Sequence, residues 1–523
     1  MEPAAGYEDM KMKPFCLLKG RLRCPVRTGL AGTAAALLLA GCMVGPDYHR
    51  PQVATPVAYR ELPGWTQAAP SEASPRSDWW TGFHDPLLNQ LEPLVSVSNQ
   101  TVRLDYYNYQ EAVDLVREAR SGLFPTISVT SSATRSGNSA TIANAGALEG
   151  DVSWAPDLWG QVRRTIEERA ANAQATEAML AYATLSEQVT LAIAVINLRA
   201  SDANIDLLEK TVKAYEGYLR VISDQGEAGT IPPSDLILAR TQLESARSSL
   251  IALQVSRAKY AHAIAVLVGR NPEDLDVGRI SALPVLPDVP VSVPSTLLQR
   301  RPDIATAERQ MAEENAAIGV AVSAYYPTVT LSGMEGLAES PLSGLLHAAN
   351  YVWSLGAAAS QTIFDGGLRS ANVDATKAAY NGAVANYRNT VLTAFQNVED
   401  DFASLRILEQ QSQVLDGAVR DAARGAEIAF NEYQAGTVDY TTVATAQTTQ
   451  LSLQQTALSV EQERLVASAT LLGDLGGGWS ADQLHDPRGA HAPDRTQASQ
   501  AQPSLASRKQ SAPVITAGAT SGQ

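Results

Sequence analysis

The residue with the clearest chemical prospect is Cys42. It closes the run Leu39-Ala40-Gly41-Cys42, where small side chains let a peptidase reach the backbone and the exposed thiol can then carry a diacylglycerol. Six bases (Lys11, Lys13, Lys19, Arg21, Arg23, Arg27) precede an apolar stretch from about Gly29 to Ala40. A charged segment followed by an apolar one too short to anchor in a bilayer reads as a signal peptide, and with the cysteine the pattern resembles a lipobox. The expectation is a covalent lipid on Cys42 and no other cofactor. Met43 follows the cysteine in place of the aspartate that commonly marks inner-membrane retention, so sorting to the outer membrane is expected. Buried acyl chains contribute about 0.8 kcal/mol per CH₂, so a multiply acylated Cys42 is a firm tether.

No catalytic arrangement emerges elsewhere. His49, His84, His262, His347, His485 and His491 show no ligand spacing and no zinc signature. There is no Gly-x-Ser-x-Gly, no P-loop and no dinucleotide fingerprint. The reading is therefore no enzyme and no metal. Composition narrows the field further. The 523 residues carry a formal charge of −15, which becomes −18 once cleavage before Cys42 removes the six bases and Glu2, Glu8 and Asp9. A nucleic-acid binder needs a basic face instead. Only 6% of residues are aromatic and 45% are apolar, with alanine abundant; alanine costs least in a helix, which favours long, closely packed helices. Cleavage also removes Cys16 and Cys24, leaving no disulfide.

The elements that would carry this function are written twice. Sliding the chain by 207 residues brings Asp157 to Gly160 near Phe364 to Gly367, Ala228-Gly229-Thr230 onto Ala435-Gly436-Thr437, and Val268-Gly269 onto Leu475-Gly476. A duplication is the simplest account. From Gln161 to about Gln225 there is no proline and a single glycine, Gly217, while Tyr182, Leu185, Val189, Ile193 and Ile196 recur at helical spacing. Such a helix spans about 100 Å. The turn from Gly226 to Pro233 breaks it, and Ser234 or Asp235 is expected to cap the next helix. That helix carries a heptad seam, Leu236, Leu243, Leu250 and Ile264 interrupted by Arg257, with Ala239, Ala246, Leu253, Tyr260 and Leu267 as companions. The second copy runs from about Leu368 to Gln434 and Asp439 to Leu475.

Short alternating stretches lie between the helices: Thr126 to Thr130, about Gly150 to Trp154, Thr328 to Ser332, and Val352 to Gly356. Alternation of apolar and polar residues fits strands with one greasy and one wet face. Each can extend to the 9–11 residues a membrane strand needs, yet four strands cannot close a barrel, and an open sheet edge cannot face lipid. Either the sheet is soluble or several chains share one barrel.

In this order, several further motifs resemble the TolC/OprM-type outer-membrane efflux channel family, in its lipoprotein (NodT-like) branch. Cys42 to Tyr48 followed by Arg50-Pro51 is similar to the mature start of such lipoproteins. Trp79-Trp80 with Phe83 and Asp85-Pro86-Leu87 resembles the lead into the first helix. Arg300 to Ile304 with Ala307-Glu308 resembles the start of the second repeat, Phe364 to Gly367 its strand-to-helix turn, and Leu475 to Trp479 its end. The resemblance implies an α+β membrane protein: a homotrimer with a 12-stranded outer-membrane β-barrel, four strands per chain, continued by a long periplasmic α-helical barrel with an internal two-fold repeat. It implies a periplasmic membrane-fusion adaptor and an inner-membrane RND-type pump as partners, with outer-membrane lipid around it and no nucleic acid. The expected organisation is a signal peptide at 1–41, an extended arm at 42–84, repeats at 85–280 and 281–478, and a disordered tail at 479–523. The expected function is the passive exit duct of a tripartite efflux system for small toxic compounds. Alternatives are a duct for type I protein secretion and a lipoprotein coiled-coil scaffold without a pore.

The resemblance also assigns working residues. Gly229, Thr230, Gly436 and Thr437 match the tip motif where adaptor hairpins dock. Asp235 and Tyr433 match positions of a latch that holds the tip closed, but the latch's arginine falls on Val438. Aspartates that ring the aperture in the family fall on Thr442 and Thr445, with Asp439 the nearest available acid. A charged ring selects ions by its field, whereas a threonine ring offers hydroxyls.

Overall fold

In the computed structural model, the described residues are 43–51, 56, 59–61, 78–287, 297–339 and 345–489. The signal peptide, Cys42 and the tail beyond 489 lie outside them. The helices are α1 (Pro86–Ser98), α2 (Gln100–Ser121), α3 (Gln161–Glu227), α4 (Pro233–Leu267), α5 (Pro302–Ser323), α6 (Leu368–Gln434) and α7 (Tyr440–Asp474). The strands are β1 (Thr126–Gly137), β2 (Ile142–Trp154), β3 (Thr328–Glu339) and β4 (Tyr351–Ser360). The two halves match in length as well as order: α2 and α5 have 22 residues each, α3 and α6 67 each, α4 and α7 35 each. At 1.5 Å per residue the two longest helices each span about 100 Å.

Both long helices begin in the same way. Gly160 (φ +83°) and Gly367 (φ +96°) turn the chain through the left-handed region, which a side chain would disfavour. An aspartate just upstream then fills the open amides. Asp157 accepts from Val162 N and Arg163 N at 3.1 and 3.0 Å, and Asp365 accepts from Gly367 N and Arg369 N at 3.0 and 3.3 Å.

The start of α4 differs from the expectation. Neither Ser234 nor Asp235 caps it; Pro232 is the N-cap and Pro233 occupies the first helical position, where a fixed φ and a missing N–H cost nothing. Asp235 therefore sits inside the first turn, at the positive end of the helix dipole. The heptad seam of α4 is borne out, with Ala239, Leu243, Ala246 and Ile264 buried. Arg257, its interruption, is tied to the wholly buried Asp202 of α3 at 2.6 Å, and Asp202 also accepts from Ile280 N at 3.0 Å. On α3, Tyr182 is exposed although the other four residues of its expected stripe face inward.

Across the helical region α4 packs on α3, α3 on α7 and α7 on α6, which leaves α4 and α6 at the two sides. Those outer helices expose Ile237, Ile251 and Val255 on α4, and Ile407, Val414 and Ile428 on α6. The main apolar core joins α1, the middle of α3 and the ends of α4 and α7, with Trp79, Trp80 and Phe83 built into it. A buried Asp85–Arg199 ion pair at 2.8 Å fixes α1 on α3, while Asp85 also caps α1 through Leu87 N and Leu88 N. The tail expectation needs a correction: residues 479–489 are ordered. Glu177 accepts from His485 N at 2.9 Å, Gln174 donates to His485 O at 3.1 Å, and Arg120 donates to Arg488 O at 2.7 Å.

Candidate functional site

Three places carry the expected function: the sheet, the segment after Cys42, and the two helical tips.

The four strands form one antiparallel sheet in the order β1-β2-β3-β4, with 12, 13, 12 and 10 residues. They are longer than the alternating stretches suggested, because serine, glycine and alanine continue the pairing past the patterned residues. The register separates two faces. One carries Ile127, Val129, Leu148, Val152, Leu331, Leu337, Trp353 and Leu355. The other carries Thr126, Ser128, Thr130, Ser132, Ser153, Ser332 and Thr330, with Glu149 and Asp151 as its charges. The acids lie next to Thr130, whose hydroxyl donates to Asp151 at 3.4 Å. Arg135, Glu335 and Glu339 belong to the otherwise apolar face, opposite Asn144, Trp353 and Gly146, and Glu335 accepts from the Tyr351 hydroxyl at 3.0 Å. Among the described residues β1 and β4 are edge strands, each with one side unpaired. Aromatic residues crowd the helix-side ends of the strands. Trp159 stacks on Tyr326 with centroids 4.9 Å apart and donates to Pro327 O at 2.8 Å, while Phe124 and Phe364 stand exposed.

Cys42 lies outside the described residues, but the segment from Met43 onward is firmly held. Val44 N donates to Trp159 O at 3.1 Å. Met43 lies so close to Gly160 that a Cβ there would come within 2.7 Å of its Cγ, and Gly45 approaches Gly319 equally closely. Arg164 of α3, only 1% exposed, donates to Val44 O (3.0 Å), Gly45 O (3.2 Å), Asp47 (2.9 Å) and Glu167 (2.7 Å). Asn315 of α5 donates to Pro46 O at 3.1 Å, and Tyr48 donates to Glu308 at 2.6 Å. The arm thus lies in a cleft between α3 and α5. Most of its residues remain exposed, as befits an extended arm, and sequence reading gave no sign of the arginine that clamps it.

The two tips are near copies. Gly229 (φ +70°) and Gly436 (φ +73°) end α3 and α6 in left-handed turns. Thr230 N reaches back to Gln225 O and Thr437 N to Glu432 O, both at 3.0 Å, and each threonine hydroxyl donates to the same carbonyl at 2.9 Å. This is the glycine-terminated helix end in which the freed carbonyls are satisfied locally. Among the described residues nothing lies within 4 Å of a Cβ added at either glycine, so both tips present open backbone.

Below the tips the four helices share an apolar cluster containing Ile222, Ala239, Ala429, Tyr433, Tyr440, Val443 and Ala444. Tyr433, expected near Asp235, donates its hydroxyl to Gln225 at 3.0 Å instead. Asp235 lies close enough to add to the burial that raises the Tyr433 phenol's pKa, while its carboxylate accepts from Ser234 at 3.4 Å. Tyr440 donates to Gln242 at 3.2 Å, and Gln242 donates to Gln447 at 3.2 Å. Asp439 is occupied as the N-cap of α7, accepting from Thr442 N and Thr442 Oγ1 at 3.0 and 2.9 Å. Thr442 and Thr445 are exposed, and the Thr445 hydroxyl is turned back onto Thr441 O at 2.8 Å. The glutamines escaped notice in the sequence. A signal was present, because Gln447 stands one heptad after Tyr440 on the buried face.

The family model described as outer membrane efflux protein matches residues 98–270 and 293–477. The probable efflux pump outer membrane protein TtgC of Pseudomonas putida is 29% identical over 465 residues, 86% of this chain and 95% of that protein. The cation efflux system protein CusC of Escherichia coli is 28% identical over 463 residues, 85% of this chain and 97% of that protein. Among solved structures, the outer-membrane channel OprN superposes with a TM-score of 0.78 at 27% identity, covering 84% of this chain and all of that one.

Proposed function

Since the chain belongs to the outer membrane efflux protein family, we propose that it is the exit duct of a tripartite efflux system. In this reading three copies pool their strands into one 12-stranded barrel in the outer membrane, and their helices continue it as a tube through the periplasm. The observation that carries the proposal is the open sheet. Among the described residues it has one face rich in hydroxyls and one rich in apolar side chains, two unpaired edges, and helices about 100 Å long attached at one end. Four strands cannot close alone, and an open edge in lipid would leave each unpaired group unsatisfied at a cost of several kcal/mol. Because alternate strands run antiparallel, β4 of one copy can pair antiparallel with β1 of the next, which closes a ring. The apolar stripes on α4 and α6 lie at the two sides of the helical layer, where successive copies would meet.

The remaining expectations fit this reading. Cys42 carries the lipid, and Met43 and Val44, which follow it, are held at Gly160 and Trp159, where sheet meets helix and amphipathic rings favour a membrane–water boundary. The matched helix lengths support a duplication with repeats at about 85–280 and 281–478. The exposed tips at Gly229-Thr230 and Gly436-Thr437 receive the adaptor's hairpins, and the inner-membrane pump supplies both cargo and energy. The cargo in this reading is small toxic compounds.

Conductance of the purified protein in planar bilayers, combined with susceptibility of a deletion strain, tests the proposal. Discrete channels and heightened sensitivity to small toxic compounds are expected. Absence of channels would leave a scaffold, and loss of a secreted protein with unchanged susceptibility would favour a secretion duct. Cys42→Ala should abolish acyl labelling; labelling that persists refutes the lipid site.

A further inference from the structure

The apolar face of the sheet carries three charges, and they are divided between its two sides. Arg135 lies on edge strand β1, while Glu335 and Glu339 lie on β3, beside edge strand β4. Among the described residues Arg135 is the one base on this face, and no hydrogen bond or ion pair of its own chain holds it. Against lipid an unpartnered arginine is destabilising, and more so toward the middle of the bilayer. Glu335 is differently placed. It accepts from the Tyr351 hydroxyl at 3.0 Å, so a carboxylate and a phenol stand together at the β4 edge. The two edges therefore carry complementary groups, an unpaired cation on one and a phenol-bound anion on the other.

The register tells where these groups fall when β4 of one copy pairs with β1 of the next. Inside the chain a row of paired residues runs Ile127, Val152, Gly333, Leu355. The helix-side end of β1 is Thr126, and that of β4 is Ser360. Setting those two ends level places Leu355 opposite Ser131 of the next copy, so the row that left Ile127 re-enters four residues further on. Four residues of about 3.3 Å rise, against four strand spacings of about 4.8 Å, correspond to a strand tilt of about 35°, as outer-membrane barrels have. The same register keeps the apolar face continuous across the seam and sets Arg135 directly opposite Tyr351.

We propose that Arg135 of one copy reaches across the seam to Tyr351 and Glu335 of the next, a bridge on the apolar face that fixes the register in which the copies close. The inference rests on the duct reading and deepens it by naming the residues that choose the pairing between copies. Directly opposite residues of an antiparallel pair stand about 5 Å apart, and diagonal ones remain within reach of a long side chain. Arg135 can therefore lie along the Tyr351 ring and donate to the Glu335 carboxylate in a charge-assisted bond. A slip of the seam by two residues would keep both faces intact, but it would set Arg135 against Trp353 or against Ala349, which lies beyond the strand. The contact with Tyr351 thus discriminates between pairings that the apolar pattern tolerates equally.

The test uses the full-length acylated protein, first in outer membranes and then in mild detergent. Beyond residue 42 the sequence has no cysteine, so introduced pairs report cleanly. Ala133→Cys with Trp353→Cys, which this register sets opposite each other, should give disulfide-linked chains up to the trimer on mild oxidation. Ala133→Cys with Leu355→Cys, the pair for a two-residue slip, should link far less. Arg135→Glu and Glu335→Arg should each lower the temperature at which the trimer dissociates in detergent by several degrees, and the two together should restore it. Tyr351→Phe, which loses the hydroxyl alone, should cost less than either. Preferential linkage of the slipped pair would overturn the register, and a double charge variant no better than the singles would overturn the bridge. So would an Arg135→Glu defect confined to intact membranes with Glu335→Arg behaving as the parent, which would assign Arg135 to lipid phosphates. A parent that is a single chain in both settings would instead refute the duct reading on which the bridge rests.

Discussion

Glu92 offers the sharpest quantitative test of the packing. It lies on α1, facing the core formed by Leu88, Leu91 and Val95, with no exposed surface and with neither carboxyl oxygen hydrogen-bonded among the described residues. Burial alone pushes its pKa from 4.5 to about 9. Proton counting gives the sign. Below pH 4.5 the carboxyl is protonated in both states and costs nothing through linkage. Between 4.5 and 9 the unfolded chain has released the proton and the folded chain has kept it, so stability falls as pH rises; above 9 the loss is constant. At pH 7 the interval of roughly 2.5 units corresponds to ~3 kcal/mol, and the full interval to ~6 kcal/mol. Glu92→Leu removes this penalty and adds apolar burial. Thermal unfolding of detergent-solubilised parent and variant, followed by helical circular dichroism, should show the variant more stable by several degrees at pH 7. The gap should widen from pH 5 to pH 8.5. A gap that stays the same across that range would refute the assignment of a neutral, unpaired carboxyl to this core.

Other residues give independent checks. Arg164→Met removes every donor that clamps residues 43–51 from α3, so limited proteolysis should cut the arm at rates many-fold above the parent while the helical signal persists; an equally protected arm would contradict the clamp. Glu149→Gln with Asp151→Asn removes the charges from the hydroxyl face of the sheet, and the potassium-to-chloride permeability ratio should fall toward unity; an unchanged ratio would mean that this face does not line the pore. Gly229→Ala with Gly436→Ala meets no steric contact, so each should cost only ~1–2 kcal/mol from the left-handed backbone. If the open backbone receives the adaptor, drug resistance should drop well beyond that loss of stability, and resistance tracking folded protein alone would count against docking.

Much of the architecture was legible because long helices and membrane strands have strong periods. The absence of proline from 161 to 225, the heptads beginning at Leu236, and the paired glycine-threonine tips each point to one local structure. Strand length was less legible. Ser131 to Gly137 and Ile142 to Glu149 carry little apolar contrast, and their pairing depends on the register set by neighbouring strands. The start of α4 was misplaced because Pro233 satisfies the helix start two residues before the expected acid. Gln225, Gln242 and Gln447 were invisible as a group, since a glutamine on a long helix is ordinarily solvated and only the packing of two hairpins brings these amides to two phenols. The Arg164 clamp was hidden for the same reason: its partners in the arm, the Val44 and Gly45 carbonyls and the Asp47 carboxylate, lie more than a hundred residues away. Residues 479–489 are held by Glu177 and Arg120, which are farther still in sequence, 308 and 368 residues from their partners.

The shared barrel is the claim on which the rest depends, and subunit counting tests it most directly. Native mass spectrometry of the acylated protein, extracted from outer membranes in mild detergent, should give a mass three times that of the mature chain. A single chain that keeps its strand content in solution would contradict the account.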